Sequence, residues 1–272
     1  MQKFSASPFE MFRSLHQHRE LIQALVMREV TGRYRGSSFG LLWSFFNPVF
    51  MLIVYTFVFS VVFKARWNVS SDSKTEFALV LFAGLMLFNF FAECVNKAPS
   101  LILSNANYVK KVIFPLEILP VVNLFAALFH LMVSFIVWVA AYIILFGFPH
   151  FTVLYFPLIL VPLLLMTVGF SWFLASLGVY VRDVAQFIGI FTSVLMFLSP
   201  IFYPLSALPE KYQHLLYFNP LTLFVEQVRT VLYWGHSFDV VTYAVGLVFG
   251  SLVALAGFAF FQKTRKGFCD VL

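Results

Sequence analysis

"GRYRGSSFGLLWSFFNPVFMLIVYTFVFSVVF", residues Gly32–Phe63, sets a basic, glycine-spaced segment directly against a long apolar block. The block itself, Leu41–Phe63, runs 23 residues without a charge. About 20 such residues at ~1.5 Å rise cross the ~30 Å hydrocarbon core of a bilayer. A soluble core helix is shorter and keeps a polar face. The stretch therefore reads as a transmembrane helix, with Arg33 and Arg35 just outside it. Trp43 is expected at headgroup level, Pro48 is expected to kink the span, and Gly32, Gly36 and Gly40 are expected to permit a sharp turn into it.

The rest of the chain extends this reading. Of its 272 residues 61% are hydrophobic and only 11% charged, and mean hydropathy is +0.89. A soluble domain carries roughly 25% charged residues, so most of this surface is expected to face lipid or other membrane helices. Six spans are predicted, at about 41–63, 77–103, 116–146, 153–180, 185–203 and 239–261. Short polar intervals between them leave room for one integral-membrane domain, 41–261, with an N-terminal segment 1–40 and a tail 262–272. The net charge of +6 comes from basic residues at the ends of apolar blocks; that is a topological pattern, and no nucleic-acid partner is expected. Cys94 and Cys269 lie far apart, in no metal-like spacing, so neither a disulfide nor a zinc site is inferred. A forty-residue charged lead before the first apolar block is unlike a cleavable signal peptide.

Lys and Arg placement orients the spans. With the N-terminus inside, thirteen fall on cytoplasmic segments and five on external ones. Both termini are accordingly expected in the cytoplasm. Between Phe9 and Val30, apolar Phe12, Leu15, Ile22, Val26 and Val30 recur at helical spacing opposite Glu10, Arg13, Gln17, Glu20 and Gln23. An amphipathic helix leading into a span is expected in the membrane interface, as an anchor or as a docking surface. The external interval 204–238 contains "LLYFNPLTLFVEQVRTVLYW" (Leu215–Trp234), too apolar for a solvated loop and too short for two crossings. Pro204, Pro209 and Pro220 divide it, which predicts short re-entrant helices.

Catalytic apparatus is sparse. No Gly-Lys dipeptide occurs, so a GxxxxGK[ST] phosphate loop is absent. The six histidines are dispersed, and packing or an interfacial hydrogen bond is expected of each. Charge in lipid is expensive and tends to be functional, so the ionisable pairs at the spans carry more. Glu93 and Lys97 are one turn apart and able to pair. Glu226 and Arg229 share a face of the external segment, Arg182 and Asp183 cap the turn between spans four and five, and Glu117 sits where it favours a helix N-terminus. Among the 53 aromatic residues, Tyr203, Tyr212, Tyr217, Tyr233 and Trp234 are candidates to line an external mouth, since amphipathic rings offer a stacking face and a hydrogen-bonding edge. The competing reading is an ordinary aromatic belt.

Four stretches together, "REVTGRYRGSSFGLLWSFFNPVFMLIVYTFVFSVVF" (Arg28–Phe63), "NANYVKKVIFPLEILPVVN" (Asn105–Asn123), "SPIFYP" (Ser199–Pro204) and "YFNPLTLFVEQVR" (Tyr217–Arg229), resemble the permease subunits of ABC-2-type exporters, above all the branch that exports O-antigen-like, lipid-linked polysaccharide. The resemblance implies an all-α, six-span type V exporter-like half-transporter in the bacterial inner membrane. It implies a homodimer working with two copies of a separate ABC ATPase, which would hold the ATP and magnesium, and an undecaprenyl-linked substrate. It further implies that Arg28, Glu29, Arg33, Tyr34, Arg35, Asn107, Tyr108, Lys110 and Lys111 couple ATPase to permease. Two alternatives are a polytopic membrane enzyme acting on lipid-linked sugars and an exporter of capsule, teichoic acid or drug.

Overall fold

The computed structural model describes residues 7–62, 67, 74–109 and 114–271, and among them every regular element is helical. The expected amphipathic helix is broken into α1 (Pro8–Gln17) and α2 (Arg19–Arg33). The break falls at His18, whose Nδ1 bonds the Ser14 carbonyl, 2.8 Å away. Gly32 belongs to α2, so it is not part of the turn. That turn uses Gly36 and Gly40, at φ of 87° and 50°, conformations that carry no Cβ penalty in glycine. α3 (Trp43–Tyr55) follows, with Pro48 inside it, and continues as a π-helix over Thr56–Val62.

The remaining elements are α4 (Lys74–Lys97), α5 (Ala106–Val109), α6 (Ile118–Phe146), α7 (Phe156–Tyr180), α8 (Val184–Phe197), α9 (Glu210–Tyr217), α10 (Pro220–Leu232), α11 (Val240–Thr264) and α12 (Phe268–Val271). Among the described residues, five helical stretches are long and apolar enough to cross a membrane: Gly40–Phe59, Thr75–Ser100, Ile118–Phe146, Phe151–Tyr180 and Val240–Val271. The expected span 185–203 stops short. Its helix, α8, has 14 residues, about 21 Å at 1.5 Å per residue. The cause is Pro200, which lacks an N–H and disfavours helical backbone at Ser199; Tyr203 then folds back and its hydroxyl bonds the Phe197 carbonyl at 3.0 Å. Prolines also divide 204–238 as expected, α9 beginning just after Pro209 and α10 at Pro220, where the Asn219 side chain accepts the Leu221 N–H at 3.0 Å.

α4 is the central helix. In its most apolar stretch 83% of residues are buried, against 11% for Gly40–Phe59, whose side chains face outward. Two fully buried tryptophans fasten the centre, because a buried indole N–H needs an acceptor. Trp138 donates to the Leu79 carbonyl and Trp172 to that of Glu117, each at 2.9 Å.

Among the described residues, the most extensive helix contact is between α7 and α11. A Cβ placed on Gly257 would lie 2.1 Å from the Gly169 carbonyl oxygen, and one on Gly169 would lie 2.4 Å from that of Val253. Small residues that let helix backbones meet are a main means of association where lipid is as apolar as leucine. Gly257→Ala is therefore expected to destabilise the pair by about 2–3 kcal/mol, the scale of overpacking a rigid contact. That exceeds the ~1 kcal/mol helix-propensity gain of alanine over glycine. Thermal unfolding of the purified variant checks this, and an unchanged or raised Tm would contradict it.

Candidate functional site

Polar chemistry gathers at the two ends of the bundle. At the first end meet α1, α2, the beginning of α6, α5 and the C-terminal segment. Glu117, at the head of α6 and buried, accepts the Ser14 hydroxyl of α1 at 2.7 Å and pairs with Arg265 at 2.5 Å. Arg265 also donates to the Phe114 carbonyl at 2.9 Å. The position predicted only to favour a helix N-terminus thus ties three separate parts of the chain together. Cys269 Sγ reaches the Val109 carbonyl at 3.7 Å and adds a contact between α12 and α5.

Beside that node, α2 faces α4. The expected intrahelical pair of Glu93 with Lys97 does not form. Lys97 instead bonds Glu29, and Glu93 pairs with Arg33 at 2.5 Å. The helical spacing allows the local pair, but α2 brings an opposite charge to each residue and the contacts across the helices win. His130 joins them, with Nδ1 3.1 Å from Glu93 Oε1 and Nε2 3.3 Å from the Tyr34 hydroxyl. The sequence led to an expectation of packing or an interfacial hydrogen bond at His130, without naming its partners. The signal for a larger role was its place among residues 118–146, which hold no Asp, Glu, Lys or Arg. A cavity of about 630 Å³ lies along this contact, lined by Arg28, Asn96 and Asn123 together with the paired residues.

Of the other residues expected to couple to an ATPase, Arg28 donates to the Tyr108 hydroxyl at 2.8 Å, and the Tyr108 ring stacks on Phe114 with centroids 4.2 Å apart. Arg35 and Asn107 are exposed. Lys110 and Lys111 lie outside the described residues. The expected cap of Arg182 and Asp183 is placed at the turn between α7 and α8, both side chains exposed.

At the second end, Arg229 of α10 is fully buried. It donates to the carbonyls of Val80 (3.1 Å), Pro200 (2.5 Å) and Ile201 (2.8 Å) and pairs with Glu226 at 2.9 Å. Its guanidinium also sits 4.3 Å over the Trp67 ring. Gly84 makes room, since a Cβ there would meet Arg229 Nη2 at 3.0 Å. Burial lowers the guanidinium to about 10, so it stays charged at neutral pH. The sequence offered the Glu226 pair, which is one of five contacts.

The five candidate aromatics do not form one wall within the chain. Tyr233 and Trp234 are in edge-to-face contact, centroids 4.9 Å apart, and Tyr233 also meets Tyr142 and Phe146 of α6. Burial pushes the Tyr233 phenol up. Tyr212 and Tyr217 are exposed. Tyr217, Glu226, Gln227 and Asp239 line a separate cavity of about 560 Å³. Among the described residues no three His, Cys, Asp or Glu side chains are grouped to hold a metal ion.

Apolar helices of membrane-crossing length, with charge confined to nodes at their two ends, define a multi-pass integral membrane protein. The chain belongs to the ABC-2 type transporter family, whose profile matches residues 20–233. It is similar to the O-antigen export system permease protein RfbA of Myxococcus xanthus, 28% identical over 261 residues, covering 95% of this chain and 97% of the relative. The RfbA permease of Klebsiella pneumoniae is 25% identical over 258 residues, 93% and 95% of the two chains. The polysialic acid transport protein KpsM of Escherichia coli is 23% identical over 255 residues, 90% and 93%.

Proposed function

We propose that this chain is the membrane-spanning permease of an ATP-driven exporter of lipid-linked, O-antigen-like polysaccharide. Two copies form the translocation path across the bacterial inner membrane, with six crossings each and both termini cytoplasmic. Two copies of a separate ABC ATPase bind ATP and magnesium and dock on α1, α2 and the 105–111 segment. The undecaprenyl-linked glycan leaves past α9 and α10, where Tyr203, Tyr212, Tyr217, Tyr233 and Trp234 offer stacking faces to sugar rings. The observation that carries this reading is similarity along nearly the whole chain to proteins named as O-antigen export permeases. The gathering of α1, α2, α5 and α12 at one end supports it, because such a cluster gives a soluble partner a firm surface. α8 is the short member of the six and crosses together with the non-helical Ser199–Pro204 that follows it.

Isolation of the tagged chain from its native membrane is expected to bring down an ABC ATPase in equimolar amount, and removal of the chain is expected to abolish surface polysaccharide while lipid-linked glycan accumulates inside. Recovery without an ATPase, or unchanged surface polysaccharide, overturns the reading.

A further inference from the structure

Glu29 and Arg33 stand one turn apart on α2, and Glu93 and Lys97 one turn apart on α4. Residues at i and i+4 share a helix face, and the structure pairs the two faces crosswise, Glu29 with Lys97 and Arg33 with Glu93. This arrangement is selective for register. A slip of α2 by one turn sets Arg33 against Lys97 in one direction, or Glu29 against Glu93 in the other. Either slip replaces attraction by repulsion between like charges.

The rest of the α2 contact does not have that selectivity. Its apolar side packs on α6 through Ile22 and Leu25 against Ile118 and Val122, a surface of similar aliphatic side chains along which a helix can shift. The cavity of about 630 Å³ beside the two pairs leaves α2 room to move toward α4. His130 of α6 clamps one rung, contacting both Glu93 and Tyr34. The charge pairs thus add a register preference to the apolar contact.

We propose that this two-rung charge ladder is the joint through which a displacement of α2 is delivered to the central helix α4. The role in transmission rests on the reading of α1 and α2 as the ATPase docking surface; the role in register does not. Half-exposed ion pairs contribute little to folding individually, so the effect falls on register and coupling.

The test compares Lys97→Glu alone, Glu29→Lys alone and the two together, in the full chain with its ATPase, with the same series for Arg33→Glu and Glu93→Arg. One readout is polysaccharide exported per inserted molecule. The other needs no transport: crosslinking between cysteines introduced as Gly32→Cys and Asn96→Cys in a Cys269→Ser background. Each single change is expected to lower export about tenfold, within the usual range for coupling between sites, and to lower the crosslink yield, while the charge-exchanged doubles recover both. Single changes that leave the crosslink intact, or doubles no better than singles, overturn the ladder. Doubles that recover the crosslink but not export overturn its role in transmission. Absence of an ATPase from the wild-type preparation would remove the docking premise and with it the transmission role, while the crosslink series still decides the register.

Discussion

Arg229→Ala is expected to destabilise the protein by about 3–5 kcal/mol, the scale seen when one partner of a buried ionic contact is removed. Four hydrogen bonds and the ring contact with Trp67 go at once, and a large hollow is left between α10 and α4. Glu226 is 39% exposed and can turn to water, so most of the loss comes from the three carbonyls and the hollow. Carbonyls on α4 and on the segment after α8 are held by one planar fork, which an ammonium cannot reproduce. Arg229→Lys is therefore expected to recover less than half of the loss. For a chain of this size 3–5 kcal/mol corresponds to a fall in Tm of roughly 10 °C. Limited proteolysis adds a local readout: cleavage between α8 and α10 is expected to accelerate before cleavage elsewhere. An alanine variant with wild-type Tm would show that Arg229 does not fasten α10.

Glu117→Ala is the second large change. It removes the carboxylate partner of Arg265, whose side chain is 11% exposed and which keeps the Phe114 carbonyl, and it removes the acceptor of the Ser14 hydroxyl. A loss of about 3–5 kcal/mol is expected on the same grounds. Because Ser14 is the link from α1 to the head of α6, trypsin is expected to cut sooner at Arg13 and Arg19. The compensated double variant Glu117→Leu with Arg265→Met separates charge from shape. Buried ion pairs replaced by apolar side chains of similar volume are often neutral in stability, so the double is expected to stand well above either single in Tm. A double no better than Glu117→Ala would mean that hydrogen bonding, and not the loss of the charge pair, dominates the node.

The consequences of these changes follow from partners the sequence does not display. Glu117 and Arg265 are 148 positions apart, and Arg229 and Val80 are 149 apart. His130 shows the same limit from another side: one histidine in an apolar run is compatible with packing, and its contact with Glu93 exists because α4 packs on α6, its contact with Tyr34 because the end of α2 reaches them. The candidate mouth aromatics were legible as amphipathic rings near one end, but their directions were not. Tyr203 turns back onto α8, and Tyr233 packs against α6.

The sequence by itself determined the class of structure and most helix ends. Uncharged runs longer than about 20 residues have few solutions other than a membrane helix, because lipid leaves backbone groups no partner but each other. Proline acts through the local backbone, so the division of 204–238 at Pro209 and Pro220 was readable. The tertiary structure alone decided which charges meet. At Glu93 and Lys97 the local spacing offered an intrahelical pair, and the crossing of α2 supplied closer partners. The intrahelical pair and the pairs across the helices are alike Coulombic, so which one forms depends on where α2 lies, and that is set by how the apolar faces pack.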